Sequence, residues 1–450
     1  MRPLRTALAT FLFLSLFFVE VRVSMAQQTT ITHVRVIEGT GKPPLENQRV
    51  VIGNGKILSI GPASQLPPPP GQVVDGSGKT LIPGLINAHG HLALVDGTKN
   101  SGDYYTEPHV LAELRQYESY GVLDMLSLGL NRDLIYGIRA EQRQGQLDGA
   151  TVFVADRGIG VPGGAPPLAH QPDQLYQPKT PEEARQDVRE AAGRNTDFIK
   201  IWVDDMHGTK PKMETAVYQA VIDEAHKHHI KVAAHVYTLA DAKQLVADGV
   251  DVLAHSVRDT TVDQQLLAAM KAHGVYYIPT LTVDESFFVF AEHPEILRDP
   301  FFEKAVPADL LAMLSDKAYK QKVESDPQTA QHRQDLANAE KNLKLAYDAG
   351  VKVAFGTDSG AMPTRVPGYA EHRELELMVA AGLTPLEAIG CATRTNAELL
   401  GIANRTGTIE AGKQADMILL DGNPLDDIRN TQKIAVIWHN GQRVTPAVVR

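Results

Sequence analysis

Only one cysteine, Cys391, occurs in 450 residues. No intrachain disulfide can form, and no thiolate cluster can hold zinc. Cys391 lies in the apolar run Ala388-Ile389-Gly390-Cys391-Ala392 and reads as core rather than nucleophile. Aromatic residues make up only 6% of the chain and charged residues 22%, against 43% hydrophobic. Those proportions exclude collagen-like repeats, disorder and a multi-pass membrane protein. Positive charge is in deficit too: the formal net charge is −10, which argues against nucleic acid and anionic membrane surfaces as partners. Gly158-x-Gly160 lacks the rest of a dinucleotide fingerprint.

The one long apolar run is Thr6 to Val19, preceded by Arg2 and Arg5 and followed by Glu20 and Arg22. It falls short of the ~20 residues a membrane span needs. Ser24-Met25-Ala26 supplies small residues for cleavage after Ala26, and Gln27 in place of Cys argues against a lipoprotein. Residues 1–26 therefore read as a signal peptide. The expectation is a secreted or periplasmic protein with no stable membrane insertion after cleavage; a homo-oligomer is left open.

Both ends of the remaining chain look like small β-sheets. Val34-Arg35-Val36-Ile37 and Val50-Val51-Ile52 alternate or run apolar, and Gly53-Asn54-Gly55-Lys56 marks a hairpin. Pro67 to Pro70 reads as a turn or short polyproline stretch. Ala415 to Leu420 and Ile434 to Trp438 repeat the strand pattern around the turn Asp421-Gly422-Asn423-Pro424. Residues 27–83 plus 407–450 are thus expected to form one sheet domain.

Between them, residues 84–406 alternate strand-like runs with helical stretches. Eight strands are expected: Leu85–Leu92, Val122–Leu128, Thr151–Ala155, Phe198–Val203, Lys231–Val236, Val250–Ser256, Val275–Leu281 and Lys352–Thr357. That count of parallel strands with helical crossovers points to an α/β fold, a (β/α)8 TIM-type barrel. Residues 284–340 are charged, long and helical in pattern, a candidate lid inserted before the last strand.

Polar residues sit where those strands end. His89 and His91 are two apart and point to the same side. Lys200 lies inside Phe198-Ile199-Lys200-Ile201-Trp202, His235 closes Val232-Ala233-Ala234, His255 closes Val252-Leu253-Ala254, and Asp358 follows Phe355-Gly356-Thr357. Any one of them alone reads as a satisfied core side chain. Together, at the catalytic face of a barrel, they read as a metal site. His226, His228 and His229 end a helix away from that face and read as solvated.

The segment Leu81-Ile82-Pro83-Gly84-Leu85-Ile86-Asn87-Ala88-His89-Gly90-His91 resembles the opening signature of the amidohydrolase superfamily. Gly407-Thr408-Ile409-Glu410-Ala411-Gly412-Lys413-Gln414-Ala415-Asp416 and Asp421-Gly422-Asn423-Pro424-Leu425 resemble its tail. The resemblance implies a metal-dependent hydrolase barrel with a terminal β-sandwich. The lysine on the fourth strand is similar to that of prolidase-type zinc dipeptidases and ochratoxin-hydrolysing amidohydrolases. By that resemblance His89, His91 and Asp358 would hold one divalent ion, zinc on the same grounds, and His235 and His255 a second. A CO2-derived carbamate on Lys200 would bridge the two. A buried lysine loses its proton readily, so its amine can take up CO2. Two ions about 3.5–4 Å apart would then generate a bridging hydroxide. Asp358 would accept a proton and return it to the leaving nitrogen. Tyr237, two residues past His235, would steady the oxyanion, with packing as its plainer role.

After Lys200 such relatives continue into a Ser/Thr-Gly-Gly loop, whereas this chain has Val203-Asp204-Asp205-Met206-His207-Gly208. The departure bears on the substrate pocket. Asp204 or Asp205 would favour a cationic group unless merely solvated, and Arg157 and Arg258 are candidates for a substrate carboxylate. Three readings remain open: a binuclear zinc hydrolase of dipeptides or N-acyl amino acids, a mononuclear ring hydrolase or deaminase, and a non-catalytic exported binding protein. The deaminase reading is weakened by Thr238, which stands where many deaminases carry Glu. The complete ligand set counts against the binding protein.

Overall fold

A computed structural model describes residues 28–64 and 71–445. The signal peptide expected over 1–26 and the turn or polyproline stretch expected at Pro67–Pro70 lie outside the described residues. Among those described, no helix is long and apolar enough to cross a membrane.

The N-terminal strands are β1 (Thr29–Val36), β2 (Leu45–Gly53), β3 (Lys56–Pro62), β4 (Gln72–Asp75) and β5 (Thr80–Pro83). Asn54 and Gly55 join β2 to β3 with φ of 54° and 76°, the left-handed pair a two-residue hairpin turn requires. Past them, β5 pairs antiparallel with a strand from the far end of the chain, Met417–Leu420, which pairs in turn with Ile434–His439. One eight-stranded sheet therefore contains strands from both termini. Ile31, Val34, Val36, Leu81, Met417, Leu419 and Trp438 bury its apolar face.

Gly84 leads directly from β5 into β6 (Leu85–Gly90), the first of eight parallel strands. The others are β7 (Val122–Ser127), β8 (Thr151–Val154), β9 (Phe198–Trp202), β10 (Lys231–His235), β11 (Val252–Leu253), β12 (Tyr276–Tyr277) and β13 (Lys352–Val353). Each lies within its expected segment and is shorter than expected, the last three being reduced to two residues apiece. They form a three-stranded parallel sheet, β8-β7-β6, and a five-stranded one, β9 to β13. Backbone hydrogen bonds stitch the sheets at both joins. Ala88 N–H donates to Phe355 O (3.0 Å) and His91 N–H to Ser359 O (2.8 Å); Asp197 N–H donates to Val154 O (2.9 Å).

Alternation along the strands makes two cores. Ile86, Ala88, Leu126, Phe153, Phe198, Ala233, Val252 and Ala354 pack among themselves. Their neighbours Leu85, Met125, Val154, Ile199, Val232 and Leu253 pack in the larger core with the crossover helices. Three of those helices start on side-chain caps: Thr180 accepts from Glu183 N–H, Thr238 from Asp241 N–H and Asp263 from Leu266 N–H. The segment 284–340 is helical, including Ala308–Ser315, Lys317–Ser325 and the start of Gln328–Asp348. Phe290, Phe302, Leu310 and Leu314 give it a small core that also takes in Tyr120, Val366 and Tyr369.

Gly84 is the tight point between the two sheets' strands. A Cβ there would lie 2.4 Å from Leu123 Cδ1, while its N–H bonds Asp416 O at 2.9 Å. Gly84→Ala is expected to cost about 1–3 kcal/mol by overpacking that join, read as a lower urea midpoint; an unchanged midpoint would contradict the tight docking.

Candidate functional site

The strand ends bring all six expected ligand residues together. His89 closes on β6 and His91 follows it; Asp358 reaches them from beyond β13. His89 Nε2 lies 3.1 Å and His91 Nε2 3.0 Å from Asp358 Oδ1. Lys200, on β9, places Nζ 3.5 Å from His89 Nε2. The His255 ring stands 4.6 Å from that of His89 and 4.4 Å from that of His235. Ligand atoms of His89, His255 and Asp358 all fall within 4.8 Å of one another. Lys200 is only 1% exposed, with its ammonium-bearing end 5.4 Å from the Trp202 ring.

Hydrogen bonds fix which ring nitrogens face the cluster. His91 Nδ1 faces Gly129 O at 3.3 Å, His255 Nδ1 meets Thr280 Oγ1 at 2.8 Å, and His235 Nε2 meets Asp204 Oδ2 at 2.8 Å. These contacts leave Nε2 of His91 and His255 and Nδ1 of His235 as donors for an ion, the arrangement by which outer partners orient metal-binding imidazoles. His89 Nδ1 is buried without a hydrogen-bond partner. Neutral imidazoles, a carboxylate and a deprotonatable amine form a nitrogen–oxygen donor set that fits borderline divalent ions such as zinc.

Burial sets the protonation states. It pushes His89 down to about 3, with Lys200 adding to the effect, and lowers His235 and His255 as well. Burial also draws Lys200 down from 10.5 to about 7, against the pull of Asp358. For Asp358, burial would raise the carboxyl, but Arg365 and the hydrogen bonds from His89 and His91 hold it well below its usual range. Asp358 and Thr280 both adopt left-handed backbone, with φ of 57° and 47°. Such strain gathers at sites where the surroundings dictate the geometry.

Glu371 supplies part of those surroundings. Fully buried, it accepts from Asn87 Nδ2 (2.7 Å), Thr357 Oγ1 (2.7 Å), Ser359 Oγ (2.6 Å) and the Gly368 N–H (2.7 Å). Asn87 Oδ1 in turn accepts the His89 N–H at 2.9 Å. One carboxylate therefore ties the ends of β6 and of the Asp358 strand together.

Beside the cluster lies a cavity of about 280 Å³, lined by His91, His235, His255 and Asp358. Of the expected substrate residues, Asp204 and Arg258 line it, and so does Tyr237, whose hydroxyl donates to Asp335 Oδ1 at 2.9 Å. Asp204 is committed to His235 rather than free for a ligand. Arg157 is not brought to the cavity. Its guanidinium pairs with Asp133 (3.1 Å) and Glu190 (3.5 Å) and lies over the Tyr176 ring. His226 bonds Asp251 at 2.9 Å at a helix end, and burial pushes the Cys391 thiol up to about 12. Sequence reasoning missed Arg365, which pairs with Asp358, and the cavity-lining trio Asp284, His332 and Asp335, whose ligand atoms also gather within 4.8 Å. The i, i+3 spacing of His332 and Asp335 is readable on a helix; nothing in it points to Asp284.

Because burial draws His89 down from 6.5 to about 3, the unfolded chain is expected to take up a proton between those values that the folded chain refuses. Urea stability of the metal-free protein is expected to fall as the pH drops from about 6.5 toward 3, and His89→Gln to flatten that fall. Identical slopes would contradict the assignment.

The model of the amidohydrolase family matches residues 80–446. An ochratoxinase of Aspergillus niger is 28% identical over 272 residues, 58% of this chain; in that match the chain spans about half the length of the relative, 49%. An imidazolonepropionase of Geobacillus kaustophilus is 24% identical over 406 residues, 84% of each chain. Among solved structures, a prolidase candidate from Bifidobacterium longum superposes with a TM-score of 0.75 at 26% identity, covering 95% of this chain and 97% of that one. A Xaa-Pro dipeptidase with bound methionine gives 0.72 at 24% identity, covering 93% and 99%, a likeness of fold alone. Such neighbours imply a TIM-barrel-type arrangement for the eight parallel strands. With the family model spanning both the strands and their buried His–Lys–Asp cluster, the chain belongs to the amidohydrolase family.

Proposed function

We propose that this protein is an exported, binuclear metal hydrolase that cleaves carboxamide bonds of dipeptides or N-acyl amino acids. The observation that carries the reading is the buried Lys200 amine among four imidazoles and Asp358, drawn down to about 7. His89, His91 and Asp358 would hold one ion, and His235 and His255 the other. Lys200 would complete the ligand set as a carbamate: its neutral Nζ would form an N–C bond to CO2 and release a proton, leaving an anion with two oxygens. The ions, when bound, supply an activated water and polarise the scissile carbonyl.

The remaining work falls to side chains. His235 is steadied by Asp204 and His255 by Thr280, so neither ring has to reorient during reaction. Asp358 takes a proton on its carboxylate and returns it to the departing nitrogen; Arg365 and the two imidazoles keep it ionised until then. Tyr237 turns its hydroxyl from Asp335 to the carbonyl oxygen as negative charge grows there. The architecture proposed to carry this is a closed (β/α)8 barrel over 84–406, with a β-sandwich from 27–83 and 407–450, released by cleavage after Ala26. A mononuclear ring hydrolase is the second reading, supported by the imidazolonepropionase likeness along most of the chain.

Purified protein loaded with zinc and bicarbonate is expected to release free amino acids from a panel of dipeptides and N-acyl amino acids. Metal analysis should find about two ions per chain, falling to about one in an inactive Lys200→Ala variant. Full activity in that variant would overturn the carbamate bridge, and one ion in the unaltered protein would favour the second reading. Tyr237→Phe is expected to lower kcat about 10²–10³-fold with the fold intact; an unchanged kcat would return Tyr237 to a packing role.

A further inference from the structure

The charged side chains around the cavity differ in how far their hydrogen-bonding capacity is used. Arg365 spends all three nitrogens: one pairs with Asp358, Nε donates to Ser286 Oγ at 3.2 Å, and Nη2 donates to Val283 O at 3.4 Å. Asp204 has His235. Asp335 accepts from Tyr237 and from Gln331 Nε2 at 2.7 Å. Asp284 meets His332 Nδ1 at 3.3 Å.

Arg258 stands apart. It is only 8% exposed, yet its Nη atoms reach Asp284 Oδ2 and Val236 O only at 3.5 Å, the outer limit for such bonds. Its Nε is buried with no hydrogen-bond partner among the described residues. The guanidinium lies 5.0 Å over the Tyr237 ring, which holds its plane. Along the chain it is three residues past His255, so it stands at the cavity wall next to one pair of candidate ligands. Burial works against its charge, but Asp284, Asp204 and Asp335 outweigh it. What stays open is hydrogen-bonding capacity, five donors with two marginal partners among the described residues, and a planar two-oxygen anion is a ligand that would use it. The cavity lining also carries Pro166, Leu168, Phe287 and Met362, apolar surroundings in which such a pair is strengthened. Asp284 keeps His332 as a partner when Arg258 turns to a ligand.

We propose that Arg258 is a specificity-determining residue that receives the free carboxylate of the substrate. The substrates are then N-acyl or N-aminoacyl amino acids carrying that carboxylate, in preference to their amides and esters. The inference rests on the amide-hydrolase reading of the site, but its test does not depend on turnover.

Metal-stripped full-length protein would be titrated calorimetrically with 3-phenylpropionate and with 3-phenyl-1-propanol, which share an apolar body and differ in the carboxylate. The acid is expected to bind about tenfold tighter or better. Arg258→Met should erase that preference, and Arg258→Lys should keep part of it. Equal binding of the two probes by the unaltered protein would overturn the inference, as would an undiminished preference in Arg258→Met. Should Arg258→Met fail to fold, the unaltered protein and Arg258→Lys decide. Amide hydrolysis without carboxylate preference would overturn the role of Arg258 alone. Carboxylate preference in the metal-stripped protein that Arg258→Met erases, alongside a zinc-loaded protein that cleaves no amide, would uphold it and overturn the hydrolase reading.

Discussion

The burial of one amine governs this site. Lys200 lies in the middle of a strand whose every residue is buried, beside His89 and under Trp202. Among the described residues no carboxylate is in hydrogen-bond contact with a charged ammonium in that position, and burial leaves its proton loosely held. The same low-polarity surroundings keep His89, His235 and His255 neutral, which is the form in which imidazole binds a cation. Neutral imidazoles leave lone pairs that divalent ions would take up, and the negative charge of Asp358 and of a carbamate on Lys200 would offset the charge those ions bring.

Holding that arrangement falls to buried carboxylates behind it. Glu371 binds the strand ends that carry His89 and Asp358. Glu374, one helical turn further on, accepts the Leu281 and Thr282 N–H groups at 2.8 Å each, and burial pushes its carboxyl up to about 8. It thereby anchors the chain next to Thr280, the left-handed residue that orients His255. Strain at Thr280 and Asp358 is thus tied to a rigid polar framework, as preorganised sites require. Arg365 links Asp358 to Val283 and Ser286 at the start of the helical segment, so the cavity wall and the ligand cluster share a contact.

Much of this arrangement is legible in the amino-acid sequence. The eight strands show as apolar runs because strands covered on both faces cannot alternate, and the ligands show as the polar residues that interrupt or end those runs. His89, His91, Lys200, His235, His255 and Asp358 all belong to that pattern. Residues delivered by loops and by the helical segment do not. Arg365 lies in a turn seven residues past Asp358, and Asp284, His332 and Asp335 meet only because two helices fold against each other. Arg157 follows the third strand as a substrate residue would, but its loop turns it to Asp133 and Glu190. Position after a strand constrains where a residue starts, and loop conformation decides where it ends.

On the proposed reading, Lys200 acts as a neutral amine that takes up CO2. Its most direct test is 13C NMR of the zinc-loaded protein prepared in 13C-bicarbonate. A carbamate carbon resonance is expected that is present in the unaltered protein, absent from Lys200→Ala and lost when the metal is removed and the pH lowered. A fully metal-loaded, active protein with no such resonance would contradict it.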